Sequence, residues 1–339
     1  MSLGIELAER GLLPDGLTRA GIRSLLRERL AERQREPQRA LAFIESLRKA
    51  PLAIEQRAAN DQHYEVPPPF YELCLGPHLK YSSCWFDSGS ETLGQAEAAM
   101  LALTCERAGL RDGMSILEIG CGWGSLTLWM AKHFPNSQIT AVSNSAPQRH
   151  FIEGRAHERQ LGNVAIHTGD ISTWEPATSG FDRVVSVECF EHLRNYAELF
   201  RRIRSWLKPD GALFTHVFCH RDYPYPFEAE GESNWMGRHF FTGGIMPSED
   251  LFSRFDQDLV VAERWQVNGR HYARTSRLWL DNLDRNRAAA ERVLAEGLGA
   301  SGAKRQTERW RMFFMSCEEL FAFHRGEEWF VTHQLLRPR

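Results

Sequence analysis

The sequence lacks the features of several protein classes. Its seven cysteines are odd in number, scattered and free of any C-x-x-C pair, so neither a disulfide scaffold nor a zinc site is expected. No apolar run approaches the roughly 18 residues of a membrane-spanning helix, and charged residues near the start leave no apolar signal core. A net charge of −3 gives no sign of a nucleic-acid partner. We expect a soluble, cytoplasmic, globular protein.

What the chain does contain is ample apolar material and a regular alternation of elements. Hydrophobic residues make up 42% of its 339 positions, enough for a large core. After about residue 95, predicted strands alternate with predicted helices, which is typical of an α/β fold with a parallel sheet covered on both faces. The expected strands are 115–119, 138–142, 164–168, 183–188 and 212–218, and the expected helices are 95–109, 125–133, 146–160 and 191–206. Further strand-like stretches at 258–267 and 328–336 predict a late antiparallel strand.

The N-terminal region reads as helical. An amphipathic stripe falls at Ile22, Leu25, Leu26 and Leu30. Residues 19–49 hold more arginine and lysine than glutamate, so these helices either lie on an anionic membrane surface or pack as a cap. We favour the cap. The predicted organisation is a helical cap and lid segment over 1–94 and a main domain over 95–339, with substrate-side insertions at 219–257 and 269–326.

The most informative segment joins the first strand of the main domain to the helix that follows. Its acidic residue and its G-x-G-x-G glycines lie within the run Glu118, Ile119, Gly120, Cys121, Gly122, Trp123 and Gly124. Glycine lets the backbone turn tightly and approach a ligand that a Cβ would exclude. The spacing differs from the G-x-G-x-x-G of dinucleotide sites and is the form that holds S-adenosylmethionine (SAM). Plain tight packing is the alternative. We predict contacts to SAM from Glu118, Gly120, Cys121, Gly122 and Gly124.

The next two strand ends supply further candidates for cofactor binding. The second strand runs into Ser143, Asn144 and Gln148, without the acidic residue that usually holds ribose hydroxyls, so these polar side chains must substitute. Asp170 follows the third strand, where it can accept from an adenine amine. Its alternative role is to cap a turn.

Acidic residues and a histidine follow the fourth strand. If a helix begins near Glu188, its spacing places Glu188, Glu191 and His192 on one face. Acids that complement a helix N-terminus are the alternative. Because this strand end lies level with the glycine loop, we predict a catalytic role for all three.

The fifth strand ends near His216, and Tyr272 follows the sixth. Each is a catalytic candidate, and each is alternatively an interior residue with a hydrogen bond. His216 and His220 share a face of their strand, but no third ligand is evident, so we predict no metal site.

Two segments contain unusual mixtures of aromatic residues. The aromatic stretch 219–250 suits a substrate wall better than a linker, with Trp235, Phe240 and Phe241 as its candidates. The segment 81–86, which begins with Tyr81 and Ser82, suits a lid over the site, with surface packing as the alternative.

Together these motifs resemble the cyclopropane fatty acid synthase superfamily of SAM-dependent methyltransferases, and within it the coclaurine N-methyltransferase-like group. The resemblance covers nearly the whole chain, including Phe240-Phe241-Thr242-Gly243-Gly244 and Val267-Asn268-Gly269. It implies a Rossmann-like class I methyltransferase sheet with SAM as cofactor. The SAM contacts that it implies are Tyr81, Ser82, Gly120, Gly122, Gln148, Asp170 and Ile171. It also implies that Glu188, Glu191 and His192 handle an amine.

The cyclopropane synthases of this superfamily bind bicarbonate through a cysteine, a glutamate, a histidine and a tyrosine. The last three match Glu191, His216 and Tyr272, whereas the cysteine position falls on Ser83, with Cys84 one residue later. This departure from the pattern weakens the lipid interpretation.

Our hypothesis is a SAM-dependent methyltransferase that acts on the nitrogen of a hydrophobic or aromatic amine, without a metal. A protonated amine has no lone pair, so Glu188 and Glu191 would attract the cation while His192 takes the proton. One alternative is methylene transfer to an unsaturated acyl chain, and another is a SAM-binding protein without catalysis. The expected partner is a small amine or a lipid as substrate. A second copy in a homodimer and a membrane surface at the N-terminal helices are further candidates.

Overall fold

The computed structural model describes residues 3–54, 66–231 and 234–339. Its strands are β1 (Ser115–Ile119), β2 (Gln138–Ser143), β3 (Val164–Thr168), β4 (Phe181–Val187), β5 (Leu207–His220), β6 (Tyr225–Pro226), β7 (Ile245–Met246), β8 (Leu259–Val267) and β9 (Trp329–Pro338). One sheet of seven strands has the order β3-β2-β1-β4-β5-β9-β8, and β6 pairs with β7. Strands β1 to β5 run parallel, and β9 is antiparallel to both β5 and β8. The predicted α/β fold with a late antiparallel strand is confirmed.

Helices surround this sheet. They span Leu3–Glu9, Asp15–Arg35, Gln38–Lys49, Pro68–Cys74, Leu93–Arg107, Ser125–His133, Ala146–Glu158, Tyr196–Trp206, Trp235–His239, Gly269–Arg285 and Arg287–Ala322. Short 3₁₀ turns lie at Phe190–His192, Leu251–Arg254 and Phe323–Gly326. The long last helix is broken at Gly299, whose φ is 67°.

One predicted helix differs from the structure. The segment 191–206 begins as the 3₁₀ turn Phe190–His192 and becomes α-helical only from Tyr196. Asn195 caps that helix by accepting from the amide of Glu198 at 3.1 Å. Glu188 precedes the turn with φ of 46°, a region that residues with a Cβ seldom adopt. The prediction that Glu188, Glu191 and His192 share one helix face is therefore wrong.

The centre of the sheet is apolar because its strands are covered on both sides. Ile116, Leu117, Val184, Val185 and Leu213 are fully buried, as expected of the middle strands of a parallel sheet. Polar side chains that do lie inside this core at the strand ends therefore need specific partners.

The N-terminal helices dock on the long C-terminal helix. Ile22 and Leu26 pack against the main core cluster. Arg19 donates to Glu318 at 2.7 Å and to Glu319 at 3.0 Å, so part of the basic excess is paired within the chain. These contacts favour the cap interpretation, and the boundary at residue 94 stays a prediction. Across the described ranges, no helix is both long and apolar enough to cross a membrane.

Glu9 links three distant parts of the chain. Its carboxylate is fully buried and accepts from the indole of Trp235 at 2.9 Å and from the guanidinium groups of Arg305 and Arg309. Burial alone would raise the pKa of Glu9, but these donors outweigh it and lower that pKa to about 2. The first helix, the aromatic insertion and the C-terminal helix are thus held together by one carboxylate.

Candidate functional site

The glycine loop bends sharply at the end of β1. Gly120, Gly122 and Gly124 all have positive φ, at 79°, 52° and 81°, which only glycine adopts readily. A Cβ on Gly120 would lie 2.5 Å from the Cβ of Cys189, whereas a Cβ on Gly122 would meet nothing within 4 Å. The loop thus packs tightly on one side and presents bare backbone to open space on the other.

That open space is a cavity at the carboxyl ends of β1, β2 and β3, where ligands bind in open α/β sheets. Seven of the predicted site residues line it: Gly120, Gly122, Ser143, Asn144, Gln148, Ile171 and His192. Cys189, which was not predicted, lines it as well. Thr242 and Gly243 of the aromatic insertion close another side. The structure therefore brings the glycine loop, the polar end of β2 and His192 around one space.

Gln148 is oriented as a donor in this cavity. The hydroxyl of Ser143 donates to its Oε1 at 2.6 Å, and its Nε2 is buried with no partner among the described residues. A buried donor without an acceptor is costly, and a ribose hydroxyl of SAM would satisfy it. The bare glycine backbone and this unpaired amide fit the cofactor well.

Other predicted cofactor residues lie behind the cavity wall. Glu118 is buried beneath the loop and accepts from Thr127 at 2.5 Å, and burial raises its pKa to about 8. Asp170 accepts from the amide and hydroxyl of Ser172 at 2.7 and 2.6 Å. It therefore caps a turn, which was the alternative to a contact with the adenine amine. Cys121 is buried, and Gly124 is the N-cap residue just before the helix Ser125–His133.

The lid candidates lie in an extended loop beside the C-terminal helices. Tyr81 packs on Tyr71 and Trp279, with ring centroids 5.3 and 5.5 Å apart. Ser82 is buried and accepts from the ammonium of Lys80 at 2.5 Å. Neither residue is among those that line the cavity, so their contacts with SAM stay predictions.

Glu188 is the hub of a hydrogen-bonded cluster next to the cavity. Its Oε1 lies 3.1 Å from both the amide nitrogen of Ser83 and Nε2 of His216, and its Oε2 accepts from the hydroxyl of Tyr272 at 2.6 Å. Burial raises the pKa of Glu188 to about 7, although the Lys80 ammonium, Tyr272 and Ser83 oppose that rise. Glu188 therefore changes charge near neutral pH.

Glu191 has a different environment. It is fully buried, its Oε1 accepts from the amide of Phe218 at 2.8 Å, and its Oε2 has no partner among the described residues. Burial and the neighbouring Glu188 raise the pKa of Glu191 well above its ordinary value, which favours the neutral form of this carboxyl. Two carboxyl groups with raised pKa values and different hydrogen-bond partners thus lie in one site, an arrangement typical of acid–base chemistry.

His192 faces the cavity with its ring stacked on Phe241, at a centroid distance of 4.9 Å. Of the three predicted substrate aromatics, only Phe241 makes this contact. Phe240 stacks on Phe313 at 4.4 Å, and Trp235 lines a separate apolar cavity beneath the N-terminal helices. A role for Trp235 and Phe240 in substrate binding stays a prediction.

Sequence reasoning missed two residues of this region, Lys80 and His333. Lys80 is buried and donates to Ser82 and to the carbonyl of Ser83, which fixes the loop that contacts Glu188. His333 lies opposite His216 in the antiparallel pairing of β5 with β9. No local sequence pattern points to His333, because it meets His216 only through the pairing of two strands that are far apart in the chain.

Within the described ranges, no group of three or more histidine, cysteine, aspartate or glutamate side chains could hold a metal ion. His220, the other histidine considered for a metal pair, lies 3.2 Å from Glu328.

Comparisons with known proteins agree with this geometry. The sequence model of the mycolic acid cyclopropane synthetase family matches residues 53–328. The chain is 38% identical to (S)-coclaurine N-methyltransferase of Thalictrum flavum subsp. glaucum, over 99% of this chain and 95% of that protein. It is 30% identical to cyclopropane-fatty-acyl-phospholipid synthase of Escherichia coli (strain K12), over 68% of this chain and 58% of that protein.

Among solved structures, the chain is similar to coclaurine N-methyltransferase bound to N-methylheliamine and S-adenosylhomocysteine (SAH). The TM-score is 0.93 at 36% identity, with 98% of each chain covered. The expected class I methyltransferase fold and the resemblance found in the sequence are confirmed. The chain therefore belongs to the mycolic acid cyclopropane synthetase family and is a SAM-dependent methyltransferase.

Proposed function

We propose that this methyltransferase acts on the nitrogen of a hydrophobic, aromatic amine of the benzylisoquinoline or tetrahydroisoquinoline type. The observation that supports this most is Glu188, an ionisable carboxylate with a pKa of about 7 beside the cofactor cavity. The relatives named as amine methyltransferases, one of them bound to N-methylheliamine, point to the same substrate class.

The residues around the cavity suit SAM in distinct ways. The backbone of Gly120 and Gly122 leaves room for close approach, and Gln148 offers an unpaired amide to a ribose hydroxyl. Asn144 and Ile171 complete the adenosine side of the cavity. SAM supplies a methyl group that is already activated by its positive sulfur.

The protein has to provide a neutral amine in line with that methyl group and to exclude water. An alkyl amine has a pKa of about 10, by analogy with lysine, so it arrives protonated. The Glu188 carboxylate attracts the ammonium and accepts its proton, which frees the lone pair. The nitrogen then bonds to the methyl carbon as the carbon–sulfur bond breaks, and the bonding electrons return to sulfur to give SAH.

Two further side chains, Glu191 and His192, assist the methylation of the amine in this proposal. The raised pKa of Glu191 favours its neutral form, in which it adds no second negative charge next to Glu188 and can donate or accept a hydrogen bond. His192 is stacked on Phe241 at the cavity wall. It orients the amine and then passes on the proton that Glu188 has accepted from the ammonium.

The cluster around Glu188 also favours an amine over a lipid acceptor. Of the residues that the resemblance matches to a bicarbonate site, His216 and Tyr272 hold the Glu188 carboxylate, and so does the amide of Ser83. The donors that would bind a free anion are thus satisfied by a side chain of the protein itself. Methylene transfer that depends on bound bicarbonate does not fit this arrangement.

The test is a substrate panel. Purified protein with SAM is offered aromatic secondary amines and, separately, phospholipids with cis-unsaturated chains, and SAH release is measured with mass spectrometry of the products. We expect N-methylated amine and no cyclopropane lipid. The reverse result would refute the proposal. Homodimer formation, membrane contact at the N-terminal helices and a cytoplasmic location stay predictions that this panel does not address.

A further inference from the structure

A chain of hydrogen bonds runs from Glu188 into the sheet, away from the cavity. Beyond the contact of His216 Nε2 with Glu188, His216 Nδ1 lies 2.9 Å from Nε2 of His333. The Nδ1 of His333 lies 2.9 Å from a guanidinium nitrogen of Arg107, at the end of the helix Leu93–Arg107. Both histidines are fully buried, so this chain has no exchange with water along its middle.

The terminal arginine fixes the direction of every bond in the chain. A guanidinium group only donates, so Nδ1 of His333 must accept, and its proton must then be on Nε2. That proton is donated to Nδ1 of His216, which leaves the proton of His216 on Nε2. His216 therefore always presents an N–H to the Oε1 of Glu188, and it never presents a lone pair.

Charge on the histidines does not disturb this order. Burial, together with the positive charges of Arg107 and Lys80, lowers the pKa of both His216 and His333 well below the ordinary value. Both rings are neutral at physiological pH, so each has one donor and one acceptor. The chain also cannot carry a proton outward, since the arginine at its end does not accept one.

We propose that Arg107 and His333 are positioning residues that lock the tautomers of the two histidines and thereby keep Glu188 as a hydrogen-bond acceptor. Of its four lone-pair sites, three are filled by Ser83, His216 and Tyr272, and one on Oε2 stays available for the ammonium of the substrate. This inference rests on the role of Glu188 proposed above. Without the lock, His216 can turn its lone pair towards Glu188, which favours the protonated carboxyl.

Several other groups act on Glu188 from the elements around it. Lys80 faces it from the loop before the helix Leu93–Arg107 and stabilises its charged form. Glu191, Tyr272, Cys84 and Cys317 are further titratable groups that interact with Glu188. Burial raises the pKa of each of these four groups, which favours the neutral form of each. The test therefore changes Arg107 alone and leaves these neighbours in place.

The experiment compares Arg107→Lys with Arg107→Gln. Lysine is also an obligate donor and preserves the lock, whereas the amide of glutamine can accept as well as donate. Arg111→Gln serves as the matched control, since Arg111 is exposed. Nitrogen-15 NMR of labelled histidine should show protonated Nε2 for His216 and His333 in the wild type and in Arg107→Lys, and mixed tautomers in Arg107→Gln.

The second readout is the titration of Glu188. In Arg107→Gln we expect the midpoint of the Glu188 carboxyl carbon-13 titration to move upward by about one pH unit. The acid limb of the pH profile of kcat/KM for the amine should move by the same amount, with KM for SAM unchanged. Wild-type tautomers other than those predicted would overturn the inference, and so would an unchanged Glu188 titration in Arg107→Gln. Because both NMR readouts need no substrate, they test the lock even if the amine proposal fails.

Discussion

The substitution Glu188→Gln separates proton transfer from cofactor binding. Glutamine keeps the shape of the side chain, and its carbonyl oxygen can still accept from Ser83 and His216, but it has no negative charge and takes no proton. Loss of a positioned general base costs about 10²–10⁴ in rate. Glu188 does not line the cofactor cavity. Its substitution therefore removes no side chain of that cavity, and the affinity for SAM should change by less than about twofold.

The pH dependence gives a second, sharper magnitude. With a pKa of about 7, the ionised fraction of Glu188 rises about tenfold between pH 6 and pH 8. The ionisation of the amine also changes over this range, but it affects both enzymes equally. Because kcat/KM reports the pKa of the free enzyme, the ratio of wild-type kcat/KM for the amine to that of Glu188→Gln should rise about tenfold from pH 6 to pH 8.

The assay is SAH release at saturating SAM across this pH range, with SAH affinity measured by calorimetry. Glu153→Gln is the control, since Glu153 is exposed on the helix Ala146–Glu158 and the same chemical change there should leave both quantities alone. A ratio that is constant with pH, or a loss of SAH affinity equal to the loss of rate, would refute the role assigned to Glu188.

Three other outcomes are expected. Glu9→Ala should destabilise the fold by about 2–3 kcal/mol in thermal unfolding. This is less than the full cost of a broken buried ion pair, because Arg305 and Arg309 keep access to water. An unchanged Tm would contradict the role of Glu9 in linking the three parts of the chain. Gly120→Ala should weaken SAH binding at least about tenfold because its Cβ would clash with Cys189, whereas Gly162→Ala, with nothing within 4 Å, should not. The folded state holds the Glu118 proton up to about pH 8, whereas the unfolded chain releases it near 4.5, so wild-type stability falls as pH rises between these values. Glu118→Gln removes that loss, and denaturant titrations should show its relative stability rising with pH by at most about 5 kcal/mol; a parallel pH dependence of the two proteins would contradict this.

The parallel half of the sheet could be predicted from the sequence because each strand has a local signal. Apolar runs bounded by turn residues located β1 to β4 within a few residues, and the glycines after β1 located the cofactor cavity. These features depend on neighbours in the chain, so a sequence pattern is sufficient to find them.

The segment after β4 could not be predicted in the same way. Glu188, Glu191 and His192 have helical spacing, but Glu188 has φ of 46° and the α-helix begins only at Tyr196. The amide of Glu188 donates to the carbonyl of His216 at 2.8 Å, so a contact with the neighbouring strand sets its conformation. Unusual backbone of this kind is frequent at functional sites.

The full environment of Glu188 was also beyond local reasoning. Ser83, His216 and Tyr272 come from three separate regions, and His333 joins them only because β9 returns antiparallel to β5. Likewise, Trp235 was expected at the substrate, but its indole donates to Glu9 in the first helix. The partner of a buried polar group depends on the tertiary fold, which the sequence pattern does not reveal.

The most direct test of the central claim is single-turnover methyl transfer from SAM to an aromatic secondary amine such as heliamine, followed by mass spectrometry. We predict an N-methyl product and stoichiometric SAH in the wild type, and product formation slowed about 10²–10⁴-fold in Glu188→Gln. An O- or C-methylated product, or an equally fast N-methylation without the Glu188 carboxylate, would contradict it.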